Sequence, residues 1–173
     1  MSRVSGFPPV VERSARILIL GSMPGRASLE AGQYYALPQN AFWRIMGDLF
    51  GAGLDLPYTA RLKKIVENRI GLWDVLENCY RPGSLDSAID MASAHPNDFE
   101  KFYRSHSNIE SVFFNGKKAA AIYRRQVLTD IGDAYADMDY RTLPSTSPAH
   151  AAMSYTEKLK EWSAIISSVH GSN

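Results

Sequence analysis

Five short stretches hold the residues whose types and spacing could do chemistry. Asn40 stands ahead of Phe42, Ile45, Met46, Leu49 and Phe50, which recur at helical spacing, so its amide sits where a helix is capped. Asn115 ends the run Ile109-Glu110-Ser111-Val112-Phe113-Phe114, a place that strand propensity does not favour for an amide. It either holds the turn at Gly116 or presents a donor and an acceptor to a heterocycle edge. Ser145-Thr146-Ser147-Pro148-Ala149-His150 offers hydroxyls, main-chain N–H groups and an imidazole, suited to a solvated turn or to a phosphate grip. Gly21-Ser22-Met23-Pro24-Gly25 follows another apolar run and reads as a tight turn. It is no nucleophile elbow, because Met23 holds the centre of the pattern, and no P-loop, because no Lys-Ser/Thr follows the second glycine. Tyr34 and Tyr35 precede Ala36-Leu37-Pro38 and offer a stacking surface for a planar ligand, whereas Phe42 and Trp43 read as core.

Metal chemistry has little to work with. Cys79 is the only cysteine, and no two histidines have ligand spacing; His95, His106 and His170 read as surface residues.

These stretches need elements to position them. Ala15-Arg16-Ile17-Leu18-Ile19-Leu20-Gly21 is nearly unbroken in apolar character and predicts a buried parallel strand. Residues 26–39 lack periodicity and read as a long loop. The helix opened by Asn40 closes at Gly51 and Gly53. A helix over 58–68, a strand over 70–75 and a polar, turn-rich stretch over 78–86 follow. Asn97-Asp98 caps a helix through 99–105, and a strand over 109–116 leads into a helix over 117–128. A last strand over 140–143 precedes the loop 144–148. A final amphipathic helix carries Tyr155, Leu159, Trp162, Ile166 and Val169. Residues 1–14 form an N-terminal arm, in which Phe7-Pro8-Pro9 interrupts regular structure while Phe7 and Val10 pack on the domain; 15–173 form a single domain. The alternation of strands and helices implies an open parallel sheet covered on both faces. In such sheets ligands bind beyond the carboxyl ends of the strands, which puts 21–25, 76–86, 115–116 and 145–150 on one rim.

Bulk properties narrow the classes. A chain of 173 residues is one domain's worth, and it is 45% hydrophobic and 11% aromatic, which excludes disorder as a description of the whole. Nineteen Lys+Arg against eighteen Asp+Glu give +1, so a nucleic acid would have to be held by local contacts rather than bulk charge. Arg26, Arg81, Lys117 and Lys118, all near strand ends, are the candidates. No stretch is apolar enough to span a membrane, and the opening residues lack a leader's apolar core, so a cytoplasmic protein is expected.

Taken in order, these segments resemble the uracil-DNA glycosylase superfamily, most nearly its hypoxanthine-DNA (deoxyinosine) glycosylase family. The matching residues are Gly21-Ser22-Met23-Pro24-Gly25, Tyr34-Tyr35-Ala36 through Asn40-Ala41-Phe42-Trp43, Gly71-Leu72-Trp73-Asp74-Val75, Cys79 through Ser87, Phe114-Asn115-Gly116, and Leu143 through Ala149. The resemblance implies a three-layer α/β/α sandwich around a four-stranded parallel central sheet. It implies a monofunctional enzyme that flips a deaminated base out of double- or single-stranded DNA and hydrolyses its glycosidic bond without metal or cofactor, as a monomer. It implies that Asn40 orients the attacking water, that the base stacks on Tyr35, and that Asn115 reads its edge, with Gly21, Ser22 and Met23 also at the base. Ser145, Thr146, Ser147, Pro148 and His150 then form the loop at the DNA backbone and minor groove. Three positions depart from patterns in the superfamily: Met23 replaces a water-positioning Asp or Asn, as in the hypoxanthine-directed members; Ser145 replaces the His that opens the second motif of uracil-directed members; and Leu37 replaces a His found in mismatch-directed ones. Met153 and Tyr155 are candidates for the wedge that fills the gap left by the base. The competing readings are a uracil-preferring glycosylase, a non-catalytic binder of damaged DNA or nucleotides, and a small-molecule enzyme. The last has no G-x-G-x-x-G, P-loop or acidic cluster to support it.

Overall fold

Strict alternation along one five-residue strand separates the core into two layers. Ile17 and Ile19 pack in one apolar cluster and Leu18 and Leu20 in the other, because successive strand side chains point to opposite faces. The computed structural model describes residues 3–170, so the chain ends at 1–2 and 171–173 lie outside it. Its strands are β1 (Arg3–Ser5), β2 (Ile17–Gly21), β3 (Ile70–Asp74), β4 (Leu76–Tyr80), β5 (Asp90–Pro96), β6 (Ser111–Asn115) and β7 (Asp139–Leu143). Four of them form the expected parallel sheet in the order β3-β2-β6-β7.

The helices are α1 (Arg26–Ala31), α2 (Phe42–Phe50), α3 (Tyr58–Glu67), α4 (Phe99–Ser105), α5 (Lys117–Ile122), α6 (Leu128–Ile131), α7 (Tyr155–Trp162) and α8 (Ala164–His170). Phe42, Trp43, Ile45, Ile65, Trp162 and Ile165 bring α2, α3, α7 and α8 against one face of the sheet. Phe99, Phe102, Tyr103, Ala120 and Tyr123 bring α4, α5 and the turn after it against the other. The chain is thus an α/β/α sandwich around a four-stranded parallel sheet.

Several elements differ from the sequence reading. The expected long loop over 26–39 opens with α1, a short helix whose N-cap, Gly25, has no capping side chain. The polar stretch after β3 contains strand β4, which with β5 and β1 makes a second, antiparallel sheet in the order β1-β4-β5. The N-terminal arm therefore lies along the domain: Val4 pairs with Cys79, Val10 with Leu72, and Phe7 packs in the core. The helix expected over 117–128 carries a wide π turn at Tyr123–Val127, and the final helix breaks at Ser163. That break shifts the buried stripe to Trp162, Ile165 and Val169, leaving Ile166 half-buried.

The strand order decides where a ligand can sit. From β2 the chain adds β3 on one side and later β6 on the other, so the order reverses around β2. Flanking connections diverge there and leave a crevice beyond the carboxyl ends of the strands.

Candidate active site

A pocket of about 480 Å³ occupies that crevice. It is lined by residues 21–28, Tyr34, Tyr35, Leu37, Asn40, Asp74, residues 84–86, Asn115 and residues 145–150. Every residue singled out for catalysis, base binding or the DNA-facing loop touches it, and its size suits a small planar ligand.

Asn40 reaches the pocket through two local bonds. Its Oδ1 accepts the Phe42 N–H at 2.9 Å, and the next residue, Ala41, donates its N–H to the Thr146 carbonyl at 3.0 Å. The start of α2 is thereby tied to the loop after β7. Asn40 does support the helix start, one residue before the N-cap itself, which is Ala41. An amide oxygen has two lone pairs, so the cap leaves one for a ligand or water, and the NH2 group has no protein partner among the described residues.

Asn115 is held more rigidly. Its Nδ2 donates to Thr146 Oγ1 and its Oδ1 accepts the Thr146 N–H, both at 2.9 Å. A backbone N–H can only donate, so Oδ1 must face it and the amide has one orientation. One N–H, turned toward the Tyr35 hydroxyl, and one lone pair of the amide remain.

Tyr35 has φ +55°, a left-handed conformation that costs a non-glycine residue about 1–3 kcal/mol. Its neighbours hold it there. Tyr34 N–H donates to the Tyr58 hydroxyl at 2.9 Å, Trp43 Nε1 donates to the Tyr34 carbonyl at 2.8 Å, and Ala36 N–H donates to Ser28 Oγ at 3.1 Å. Phe42 stacks against the Tyr35 ring at 4.0 Å and covers one of its faces. Burial raises the phenol's pKa, so it stays protonated. Tyr34, expected to share the stacking role, is buried instead: its ring packs edge-on against Phe7 and its hydroxyl donates to the Pro8 carbonyl.

The turn after β2 makes the floor. Gly21 must be glycine, because a Cβ there would stand 2.6 Å from Asp74 Oδ1 and 3.1 Å from the Tyr35 hydroxyl. Ser22 Oγ donates to Asp86 Oδ1 at 2.5 Å, and Met23 is buried with its side chain in the core.

The loop after β7 is partly inverted relative to expectation. Thr146, grouped with the DNA-facing residues, is buried and turned inward to Asn115. The Ser145 and Ser147 hydroxyls accept the Ser147 and Ala149 N–H groups, turn chemistry that shapes the loop. Pro148 is exposed, and His150 is half-buried with Nε2 unpartnered. Lys158 of α7, which the sequence reading passed over, is buried behind the loop and points its ammonium at the Ser147 carbonyl, 3.4 Å away.

Among the expected phosphate contacts, Arg81 is corrected. It is buried and donates to the carbonyls of Pro24 at 2.5 Å and Gly83 at 3.1 Å, so it braces the floor instead of facing solvent. Arg26 and Lys117 are exposed and Lys118 is half-buried. Tyr155, a wedge candidate, lies under the Arg44 guanidinium with its hydroxyl bonded to Asp48, and neither it nor Met153 lines the pocket. The exposed apolar side chains on the rim are Leu37 and Leu85.

The sequence reading assigned no role to Asp74. It ends β3 and lines the pocket almost fully buried, with Oδ2 unpartnered. Burial and the neighbouring Asp86 charge push its pKa up to about 7, against the pull of Arg81. A carboxylate closing an apolar strand run was the available signal, of the same kind as Asn115.

The uracil DNA glycosylase superfamily model matches residues 8–167. The chain is 37% identical over 161 residues to a protein of Methanosarcina acetivorans named hypoxanthine DNA glycosylase, a match spanning 92% of this chain and 96% of that one. It is 42% identical over 115 residues to a protein of the same name from Methanosarcina barkeri, covering 66% of this chain and 72% of that one. A solution NMR structure of a candidate uracil DNA glycosylase from Methanosarcina acetivorans superposes with a TM-score of 0.80 at 34% identity, over 98% of this chain and all of that one. A family match across nearly the whole fold, including every strand of the central sheet and all the residues that converge on the crevice, makes this chain a member of the uracil DNA glycosylase superfamily.

Proposed function

We propose that the chain is a monofunctional DNA glycosylase that excises hypoxanthine from deoxyinosine-containing DNA. The observation that carries this reading is the convergence of two amides, Asn40 and Asn115, and one aromatic, Tyr35, from the loop before α2 and the end of β6 onto one pocket. The target nucleotide leaves the stack, at a cost of a few kcal/mol that is smaller at a mismatch, and its base lies on Tyr35. Asn115 meets the base edge with its remaining N–H and lone pair. Hypoxanthine presents a carbonyl beside an N–H there, whereas adenine presents an exocyclic amine. Asn40 accepts a hydrogen bond from the attacking water and favours the positive charge that develops on the sugar. As an amide it orients water without deprotonating it.

Ser145, Ser147, Pro148 and His150 approach the DNA backbone, Arg26 and Lys117 neutralise phosphates, and Leu85 or Leu37 fills the gap in the stack. The enzyme acts as a monomer on cytoplasmic DNA. No helix among the described residues is long and apolar enough to cross a membrane.

The test is a base-excision assay with chelator present. End-labelled duplexes and single strands carrying hypoxanthine, uracil, xanthine or a normal base are incubated with the protein and then treated with hot alkali. Cleavage at hypoxanthine is expected. Cleavage at uracil alone would replace the substrate, and folded protein that cleaves nothing would indicate a binding module.

A further inference from the structure

One buried carboxyl of the pocket takes no part in the chemistry proposed for Asn40, Asn115 and Tyr35. Asp74 is 4% exposed and stands at the end of β3 on the pocket floor. Its main-chain carbonyl is held by Asn97 Nδ2 at 2.8 Å, which fixes the residue from behind. Its Oδ1 lies in the space kept open by Gly21, beside the Tyr35 hydroxyl, and Oδ2 is buried with no partner. An ionised carboxylate in that setting pays a desolvation cost that a protonated one avoids.

The two nearest charges, both from the segment after β4, act in opposite directions: Asp86 repels the ionised form and the smaller pull of Arg81 favours it. Arg81 Nε and Nη2 donate to the carbonyls of Gly83 and Pro24, and its Nη1 is buried without a partner. From the loop before α2, Tyr34 and Tyr35 are neutral phenols. Asp86 is itself engaged by Ser22. The remaining titratable side chains on the pocket wall are Arg26 and His150. The amides of Asn40 and Asn115 cannot transfer a proton, which leaves Asp74 and His150 as proton-bearing groups of the pocket, and Asp74 is the one on the floor beside Gly21.

We propose that Asp74 is the general acid for the departing purine; this rests on the hypoxanthine-glycosylase reading. The C1′–N9 bond breaks and its electron pair stays on the purine. The Asp74 O–H bond breaks, and its proton bonds to N7, which shares the five-membered ring with N9 and so draws directly on the breaking bond. The base departs as neutral hypoxanthine. Water oriented by Asn40 bonds to C1′, and one of its protons restores the Asp74 acid directly or through solvent. A buried carboxyl whose pKa is raised to about 7 still carries its proton in a large share of molecules at neutral pH and is suited to this work.

The test is single-turnover excision from a hypoxanthine duplex between pH 5.5 and 9. The wild-type rate is expected to be level on the acid side of about pH 7 and to fall about tenfold per pH unit above it. Asp74→Asn is expected to lose about 10²–10⁴-fold and to show a flat profile, while binding an uncleavable duplex as before. A duplex carrying 7-deazahypoxanthine removes the proton acceptor and needs no variant, so it can still overturn the assignment if Asp74→Asn fails to fold. Wild-type protein should lose a comparable factor on it. A wild-type rate that rises through pH 7, an Asp74→Asn enzyme with the wild-type rate and profile, or undiminished excision of 7-deazahypoxanthine would each overturn the assignment. Wild-type protein inactive on hypoxanthine at every pH would overturn the functional reading itself.

Discussion

Asn40 carries two loads on one oxygen: the Phe42 N–H and, in the proposed reaction, a proton of the attacking water. Asn40→Ala removes both, and they separate by measurement. Excision should fall about 10²–10³-fold, the scale of a lost transition-state hydrogen bond. Thermal stability should fall by only about 1 kcal/mol, the scale of a lost helix cap. Asp74 makes a prediction of opposite sign. Its native pKa of about 7 lies above the ordinary 3.8, so between those values the folded state holds more protons than the unfolded chain. Its burial therefore costs nothing below about pH 4, costs progressively more up to about pH 7, and is constant above that. The ceiling is about 4 kcal/mol by linkage. Asp74→Asn should accordingly raise the melting temperature at pH 8 and change it little at pH 4, even as excision is lost. Melts at the two pH values check this.

At the scale of elements, the site is a set of strand ends pinned to one another. The turn after β6 meets the loop after β7 at Gly116, where φ is +96° and a Cβ would lie 3.2 Å from Ser145 Cβ. Gly116→Ala should cost about 1–3 kcal/mol from backbone strain and should also slow excision, because Ser145 must shift. Chemical denaturation and a single-turnover rate test the two effects separately. Strands β2, β3 and β6 are legible as apolar runs because both of their faces are buried, whereas β7, Asp-Tyr-Arg-Thr-Leu at the sheet edge, is largely solvated. Strands β4 and β5 are not legible: Leu-Glu-Asn-Cys-Tyr and Asp-Met-Ala-Ser-Ala-His-Pro are half-solvated and polar, and it is pairing with β1 and with each other that makes them strands. Helix α1 is not legible in the sequence because six residues without a side-chain cap have too little local signal, and it forms only in its tertiary setting.

At the scale of the whole molecule, a net charge of +1 leaves DNA binding to a few local cations. With Arg81 buried, Arg26, Lys117 and Lys118 remain of the expected contacts, so affinity for an uncleavable duplex should fall with a log–log salt slope of about −3 or shallower. Fluorescence anisotropy across a salt series measures it. The linear sequence by itself determined the parallel sheet and the rim on which Asn40, Tyr35 and Asn115 meet, because periodicity and turn chemistry are local properties; the roles proposed for those three residues come from the family resemblance. Which polar groups face one another was decided by the tertiary structure alone. Thr146 turned inward to lock Asn115, Arg81 withdrew to brace the floor, and Asp74 and Asp86 came together across eleven residues of intervening chain. Burial and the charge of a neighbour depend on the packing of distant segments, and those two quantities set whether a carboxyl near pH 7 is a solvated anion or an acid.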